Sequence, residues 1–223
     1  MYELIYFIIQ CNMNVKRCSP MNGFEKRKER KKANILNAAF DLFSQYGVQK
    51  VSIQEIAQKA QVSQVTIYNY FGGKDQLLFE TVKKFVYEKF DYFKEIVHDE
   101  KLNFKDKIST VIQGKKESAL HISPDFIQSV MADQPHIKEF IRKFSEEDTV
   151  PLLMELIDQG KKQGYIHPEL SFRTVMFYVE MYYQAMQSNS PMMKESPAEF
   201  SEEITHLFFY GLMGDQQQKI HDE

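Results

Sequence analysis

Cysteine is nearly missing: Cys11 and Cys18 are the only two, both within the first twenty residues. A disulfide framework for the body of the chain is therefore excluded, and a reducing compartment fits. The six histidines are scattered with no His-x-x-x-His pair, so lone surface histidines are expected and no metal site. No Gly-rich phosphate loop, His-Glu-x-x-His or Gly-x-Ser-x-Gly occurs, so neither an enzyme nor a cofactor is expected. Long apolar runs are lacking too. The opening MYELIYFIIQ is too brief to span a bilayer and lacks a preceding basic region and a nearby small-residue cleavage site, so no membrane partner and no secretory signal are expected. Residues 1–22 read as a disordered extension, with Met13 or Met21 as alternative starts; the rival reading packs this segment on the body.

What is present is a 223-residue chain with 43% hydrophobic residues, enough to bury a sizeable core. Its net charge of −3 would argue against a nucleic-acid partner if it were evenly spread, and it is not. Residues 21–75 hold nine Lys/Arg against five Asp/Glu, a net of +4, whereas residues 76–223 hold seventeen against twenty-five, a net of −8. The basic part is the short N-terminal one.

From Glu25, KRKERKKANILNAAFDLFSQYG sets Ile35, Leu36, Ala39, Phe40 and Phe43 at helical spacing, while Lys26, Arg27, Lys28, Arg30, Lys31 and Lys32 crowd the first turns. Gly47 is placed to end that helix as a left-handed cap. Ser52 and Glu55 form a capping box ahead of an apolar stripe of Ile53, Ile56, Ala57 and Ala60. Ser63 caps a further helix with Val62, Ile67 and Phe71 inward. Two short helices, the first with a small central residue and the second with its own cap, describe a helix-turn-helix.

In such a unit the second helix enters the major groove. Gln64, Thr66 and Asn69 can donate and accept there, Val65 can press on a thymine methyl, and Tyr68 can reach a phosphate. Ser52, Ser63 and Lys31 flank this face. Lys74, after Gly72 and Gly73, starts the next helix where free amides and a cation can hold a phosphate. The bland alternative makes this row the solvated side of a core helix. Gln, Val, Thr, Tyr and Asn are less common on such a side than Glu and Lys.

The segments ILNAAFDLFSQYG and VSIQEIAQKAQVSQVTIYNYFGGKDQLL resemble the DNA-binding domain of the TetR (tetracycline-repressor) family of bacterial transcription regulators, over about a fifth of the chain. Two positions depart from the family pattern: Gln61 stands where glycine is frequent, and Gly73 where Ser or Asn precedes the lysine. The resemblance implies an all-α protein. A three-helix DNA-binding domain over 23–75 would precede a helical effector-binding and dimerisation domain over 76–223. A cytoplasmic homodimer on a palindromic operator is implied, repressing until a small hydrophobic effector binds. The alternative function is a helical protein-interaction regulator or an activator.

The remaining sequence agrees with that expectation on its own terms. Residues 77–97 read as one long amphipathic helix with Leu78, Val82, Phe85, Val86, Phe90, Phe93 and Val97 inward. Further helices are expected at 104–120, 125–160 and 172–186, with starts at Asn103, Ser123 and Ser196 and stops at Gly164 and near Asn189. The stretches 172–186 and 200–213 carry aromatic and Met residues on more than one face, as a helical dimer interface requires. Phe90, Phe93, Phe126, Met131, Met176, Tyr178, Tyr182 and Met186 are candidate effector-lining residues. Ordinary core is the more common fate of such residues.

Overall fold

The computed structural model describes residues 23–118, 126, 130, 134–187 and 207. Its elements are helical, as the all-α reading expects. They are α1 (Gly23–Tyr46), α2 (Ile53–Lys59), α3 (Gln64–Phe71), α4 (Lys74–His98), α5 (Phe104–Ser118), α6 (Pro135–Phe144), a π-helical turn (Ser145–Thr149), α7 (Val150–Lys162) and α8 (Phe172–Gln187). The chain divides into two compact units, with α4 passing from one to the other at Lys89. The expected starts at Ser123 and Ser196, the stop near Asn189 and residues 1–22 lie outside the described residues.

The first unit contains α1, α2, α3, α4 up to Glu88, and residues of 120–140. Ile35, Phe43, Ile56, Ile67, Leu77 and Leu78 are wholly buried in it, each contributing about 1.5–3 kcal/mol of transfer free energy. Phe40 is half-buried rather than interior, its ring stacked on Phe85 at 4.3 Å between centroids. Phe126 meets Phe40 edge-on at 6.2 Å. Phe79 packs edge-on against Phe140 at 5.6 Å. Gly47 ends α1 in the left-handed region (φ +84°), its N–H donating to the Phe43 carbonyl at 2.9 Å.

The second unit is built on Phe93, Ile96, Val97, Phe104, Ile108, Val111, Leu156, Ile157, Ile166 and Val175. Lys107 is buried here, its ammonium donating to the Val97 carbonyl at 2.6 Å and to Gln159 Oε1 at 2.7 Å. This cation thus satisfies an orphan carbonyl in the last turn of α4. Asn103 starts α5 as expected, its side chain accepting from the Asp106 N–H at 2.9 Å. Gly164 stops α7 with φ +76°. The Gly164 N–H donates to Lys161 and the Tyr165 N–H to Gly160, the two bonds of a Schellman cap.

The single helix expected over 125–160 is interrupted twice. Gln134 is not helical, and Pro135 opens α6; the residue before a proline is pushed out of the helical region. The second interruption answers to Pro151, which has no N–H and crowds the carbonyl four residues back. The backbone widens there into the π turn, where the Val150 N–H donates to the Ser145 carbonyl. Within that turn Thr149 is fully buried, and its hydroxyl finds no hydrogen-bond partner among the described residues.

Gly160 sits where two elements touch. A Cβ added there would lie 2.8 Å from the Phe104 ring and 2.9 Å from Ile166. Gly160→Ala should cost about 1–3 kcal/mol through overpacking. A thermal melt followed by circular dichroism should show a lowered midpoint; an unchanged one would mean that this contact relaxes freely.

Candidate nucleic-acid interface

The sequence folds into two short helices because their ends are closed locally. Ser52 Oγ accepts from the Glu55 N–H at 3.2 Å while Glu55 Oε2 accepts from the Ser52 N–H at 2.7 Å, completing the expected capping box. The Ser52 amide, then its hydroxyl, and in smaller part the Lys74 ammonium hold the Glu55 carboxyl below its ordinary value. The sign follows: the box is intact above the usual carboxylate range and is lost as pH falls through the depressed value.

The turn between α2 and α3 is a second Schellman closure. The Gln61 N–H donates to the Gln58 carbonyl at 3.2 Å and the Val62 N–H to Ala57 at 2.9 Å. Gln61 takes φ +56°, making it the non-glycine residue at positive φ among those described. Gln61, a departure from the family pattern, thus takes the left-handed conformation that glycine adopts most readily. Ser63 then caps α3, its Oγ accepting from the Thr66 N–H at 3.1 Å and lying 2.9 Å from Thr66 Oγ1. Ile67 and Phe71 face the core, with Val62 only half-buried, and Gly72 at φ +74° ends the helix.

The outer face of α3 carries Gln64, Val65, Tyr68 and Asn69, all exposed; Val65 and Tyr68 retain 65% and 49% of their accessible surface. Such exposure of a valine and a tyrosine on one short helix suits a surface awaiting a partner. Thr66 is less available than the sequence suggested, being half-buried with its hydroxyl turned to Ser63. Ser52 and Ser63 likewise spend their hydroxyls on capping. Lys31 is exposed on α1, and Lys74 opens α4 half-buried.

An open cleft of about 750 Å³, unforeseen from the sequence, lies beside this face. Arg27, Lys28, Arg30, Lys31 and Asn34 of α1 line it, opposite Ala60, Gln61 and Val62 of the turn and Tyr70 of α3. The charge run was visible in the sequence. Its opposing wall was not, since that requires residues some thirty positions away to be brought alongside.

The candidate effector residues fall in different places. Phe93 is in the core of the second unit, with Phe90, Met176 and Tyr178 packed against that core. Phe90 also meets Phe144 edge-on at 5.1 Å. Burial pushes the Tyr178 phenol above its ordinary pKa. Phe126 belongs to the first unit. Met131 lies outside the described residues, as do the side chains of Tyr182 and Met186. Among the described residues, no group of acidic, His and Cys side chains could hold a metal ion, and no helix is long and apolar enough to cross a membrane.

A capped helix presenting hydrogen-bonding and apolar side chains beside a cationic groove defines a helix-turn-helix DNA-binding protein. Residues 35–81 match the family described as "Bacterial regulatory proteins, tetR family". The chain is 25% identical over 195 residues to an uncharacterised HTH-type transcriptional regulator of Bacillus subtilis, YdgC, spanning 86% of this chain and 94% of that protein. It is 24% identical over 157 residues to an HTH-type transcriptional repressor of Rhodococcus jostii, spanning 66% and 74%. Its fold is similar to that of the Bacillus subtilis regulator FadR in complex with stearoyl-CoA, with a TM-score of 0.57 and 18% identity over 80% of this chain and 98% of that one. Residues 35–81 thus carry the match to the TetR family, and over most of its length the chain is similar to HTH-type transcriptional regulators.

The strained turn generates a test. Gln61→Gly should remove the left-handed penalty and, after the extra backbone entropy of glycine is offset, stabilise the protein by up to about 1 kcal/mol. Gln61→Val should destabilise it. Equal melting midpoints for the two variants would show that the turn is unstrained.

Proposed function

We propose that this regulator represses transcription from a palindromic operator, binding as a homodimer with one α3 per subunit in the major groove, and that a hydrophobic effector releases it. The observation that carries the reading is the outer face of α3. Gln64, Val65, Tyr68 and Asn69 stand clear of the core on a helix whose ends and inner face are already satisfied. Gln64 and Asn69 supply paired donors and acceptors for base edges, Val65 an apolar contact for a thymine methyl, and Tyr68 and Lys74 contacts to phosphate. Thr66, Ser52 and Ser63 act chiefly by fixing the helices, with backbone contacts from their exposed edges secondary.

The homodimer is supported by α8. Phe177 and Met181, one turn apart, keep 64% and 46% of their surface, and Leu207 keeps 63%. Apolar side chains at this spacing suit an isologous helical interface. Two-fold pairing would set two α3 helices about 34 Å apart, one DNA turn. Cytoplasmic residence belongs to the same proposal.

For the effector, Phe90, Phe93, Met176 and Tyr178 share one apolar cluster, which favours a greasy ligand over a polar one. The stearoyl-CoA held by the structurally similar FadR makes a long acyl chain the first class to examine. An effector preferring the released conformation by about 3 kcal/mol would weaken operator binding more than a hundredfold.

Two measurements test this reading. Asn69→Ala should narrow the gap between operator and random duplex, typically by about 1–3 kcal/mol, while Tyr68→Ala and Lys74→Ala lower affinity for both; fluorescence anisotropy on matched duplexes reads each effect. A uniform loss in Asn69→Ala would remove it from base recognition. Stearoyl-CoA added to the protein–operator complex should release the DNA where free coenzyme A does not. Release by neither, in a complex that otherwise forms, would eliminate the acyl class.

A further inference from the structure

We propose that the cleft between the basic start of α1 and the α2–α3 turn is a second DNA contact, a clamp for the phosphate backbone that works alongside the reading face of α3. The proposal rests on the DNA-binding reading above and adds residues to it. The groove is lined by Arg27, Lys28, Arg30 and Lys31, with no carboxylate among the described residues of its lining.

The state of these cations distinguishes them from their neighbours. Lys32 pairs with Glu80 at 3.7 Å, Lys59 with Asp41 at 3.1 Å and Lys84 with Glu88 at 2.6 Å. Arg27, Lys28, Arg30 and Lys31 are exposed and have no carboxylate partner among the described residues. Like charges three and four residues apart on a helix destabilise it. Arg27 and Lys31 are so spaced, as are Arg27 and Arg30, and Lys28 and Lys31. A polyanion laid along the groove would relieve that repulsion.

Position and size select the polyanion. Arg27, Lys31 and Asn34 fall at i, i+4 and i+7, one stripe of α1, whereas the buried stripe of Ile35, Leu36 and Ala39 turns to the core. The opposing wall ends at Val62, one residue before the Ser63 cap of α3, and Tyr70 is part of α3 itself. The groove is thereby held in fixed register with the reading face. At about 750 Å³ it is far larger than one phosphate needs. It suits a run of backbone, gripped by guanidinium forks and ammonium groups that carry no sequence information.

The test uses the full-length protein, an operator duplex, a random duplex of equal length, and a NaCl series read by fluorescence anisotropy. The triple variant Arg27→Gln, Arg30→Gln, Lys31→Gln should flatten the slope of log K against log[salt] by about 2–3, near 0.9 per lost phosphate contact. Affinity for both duplexes should fall by a similar factor, roughly tenfold or more, leaving their ratio unchanged. The variant Arg27→Lys, Arg30→Lys should retain the wild-type slope. If the wild type ignores the operator, the DNA-binding reading itself fails. If the wild type binds and the folded triple variant keeps its slope and affinity, only the clamp fails. Inorganic triphosphate, added at constant ionic strength, should displace no DNA; displacement from the wild type but not from the triple variant would make a small anion the occupant and overturn the proposal.

Discussion

The closure of the α2–α3 turn is the constraint on which the DNA-facing surface depends. Three residues, Ala60, Gln61 and Val62, must end one helix, reverse the chain and deliver Ser63 to its capping position. They do so by returning the Gln61 and Val62 amides to the Gln58 and Ala57 carbonyls, so the last turn of α2 is satisfied without any residue from elsewhere. Ala57 is buried, 4% exposed, in α2, where a larger side chain would crowd its neighbours. Once the turn is set, Ile67 and Phe71 must point inward and Gln64, Val65, Tyr68 and Asn69 must point out. The same three residues form one wall of the basic cleft, so a single backbone conformation fixes both surfaces.

The two Schellman caps invite comparison. At Gly164 the left-handed residue is glycine, and the cap follows from the sequence alone. At Gln61 the same geometry is imposed on a side chain that resists it, by the amide bonds on either side and by the packing of α2 against α3. Local propensity does not decide this turn; the core beneath it does. A left-handed glutamine beside a cationic groove is also strain at a site that must hold its shape before a ligand arrives.

Much of the fold was legible because its signals are local. Ser52 with Glu55, Ser63, Asn103, Gly47 and Gly164 mark helix ends by chemistry confined to four or five residues. Of the stripe expected inward on α4 from spacing alone, Leu78, Val82, Val86, Phe93 and Val97 are buried, while Phe85 and Phe90 are half-buried. What escaped depends on distance along the chain or on backbone compromise. SEEDTVP reads as ordinary helix, and only the lost amide of Pro151 together with the tight core around Leu152 and Leu156 makes a π turn the cheaper solution. The cleft needed residues 27–34 and 60–70 side by side. Phe93 shows why the effector residues were ambiguous: an aromatic ring at helical spacing packs a core by the same chemistry that lines a cavity, and here it is 1% exposed within the apolar cluster.

A chain of net charge −3 can be a DNA-binding protein because charge acts locally in salt water. At physiological ionic strength the screening length is about 8 Å, so a phosphate bound as proposed would respond chiefly to the cations nearest it. The excess of acid over base in residues 76–223 then has a different consequence. An acidic excess of this kind repels duplex DNA, and on the proposed reading it favours encounters through the basic N-terminal part. On that reading the charge asymmetry orients the first encounter, while discrimination falls to Gln64, Val65 and Asn69, side chains that carry no charge.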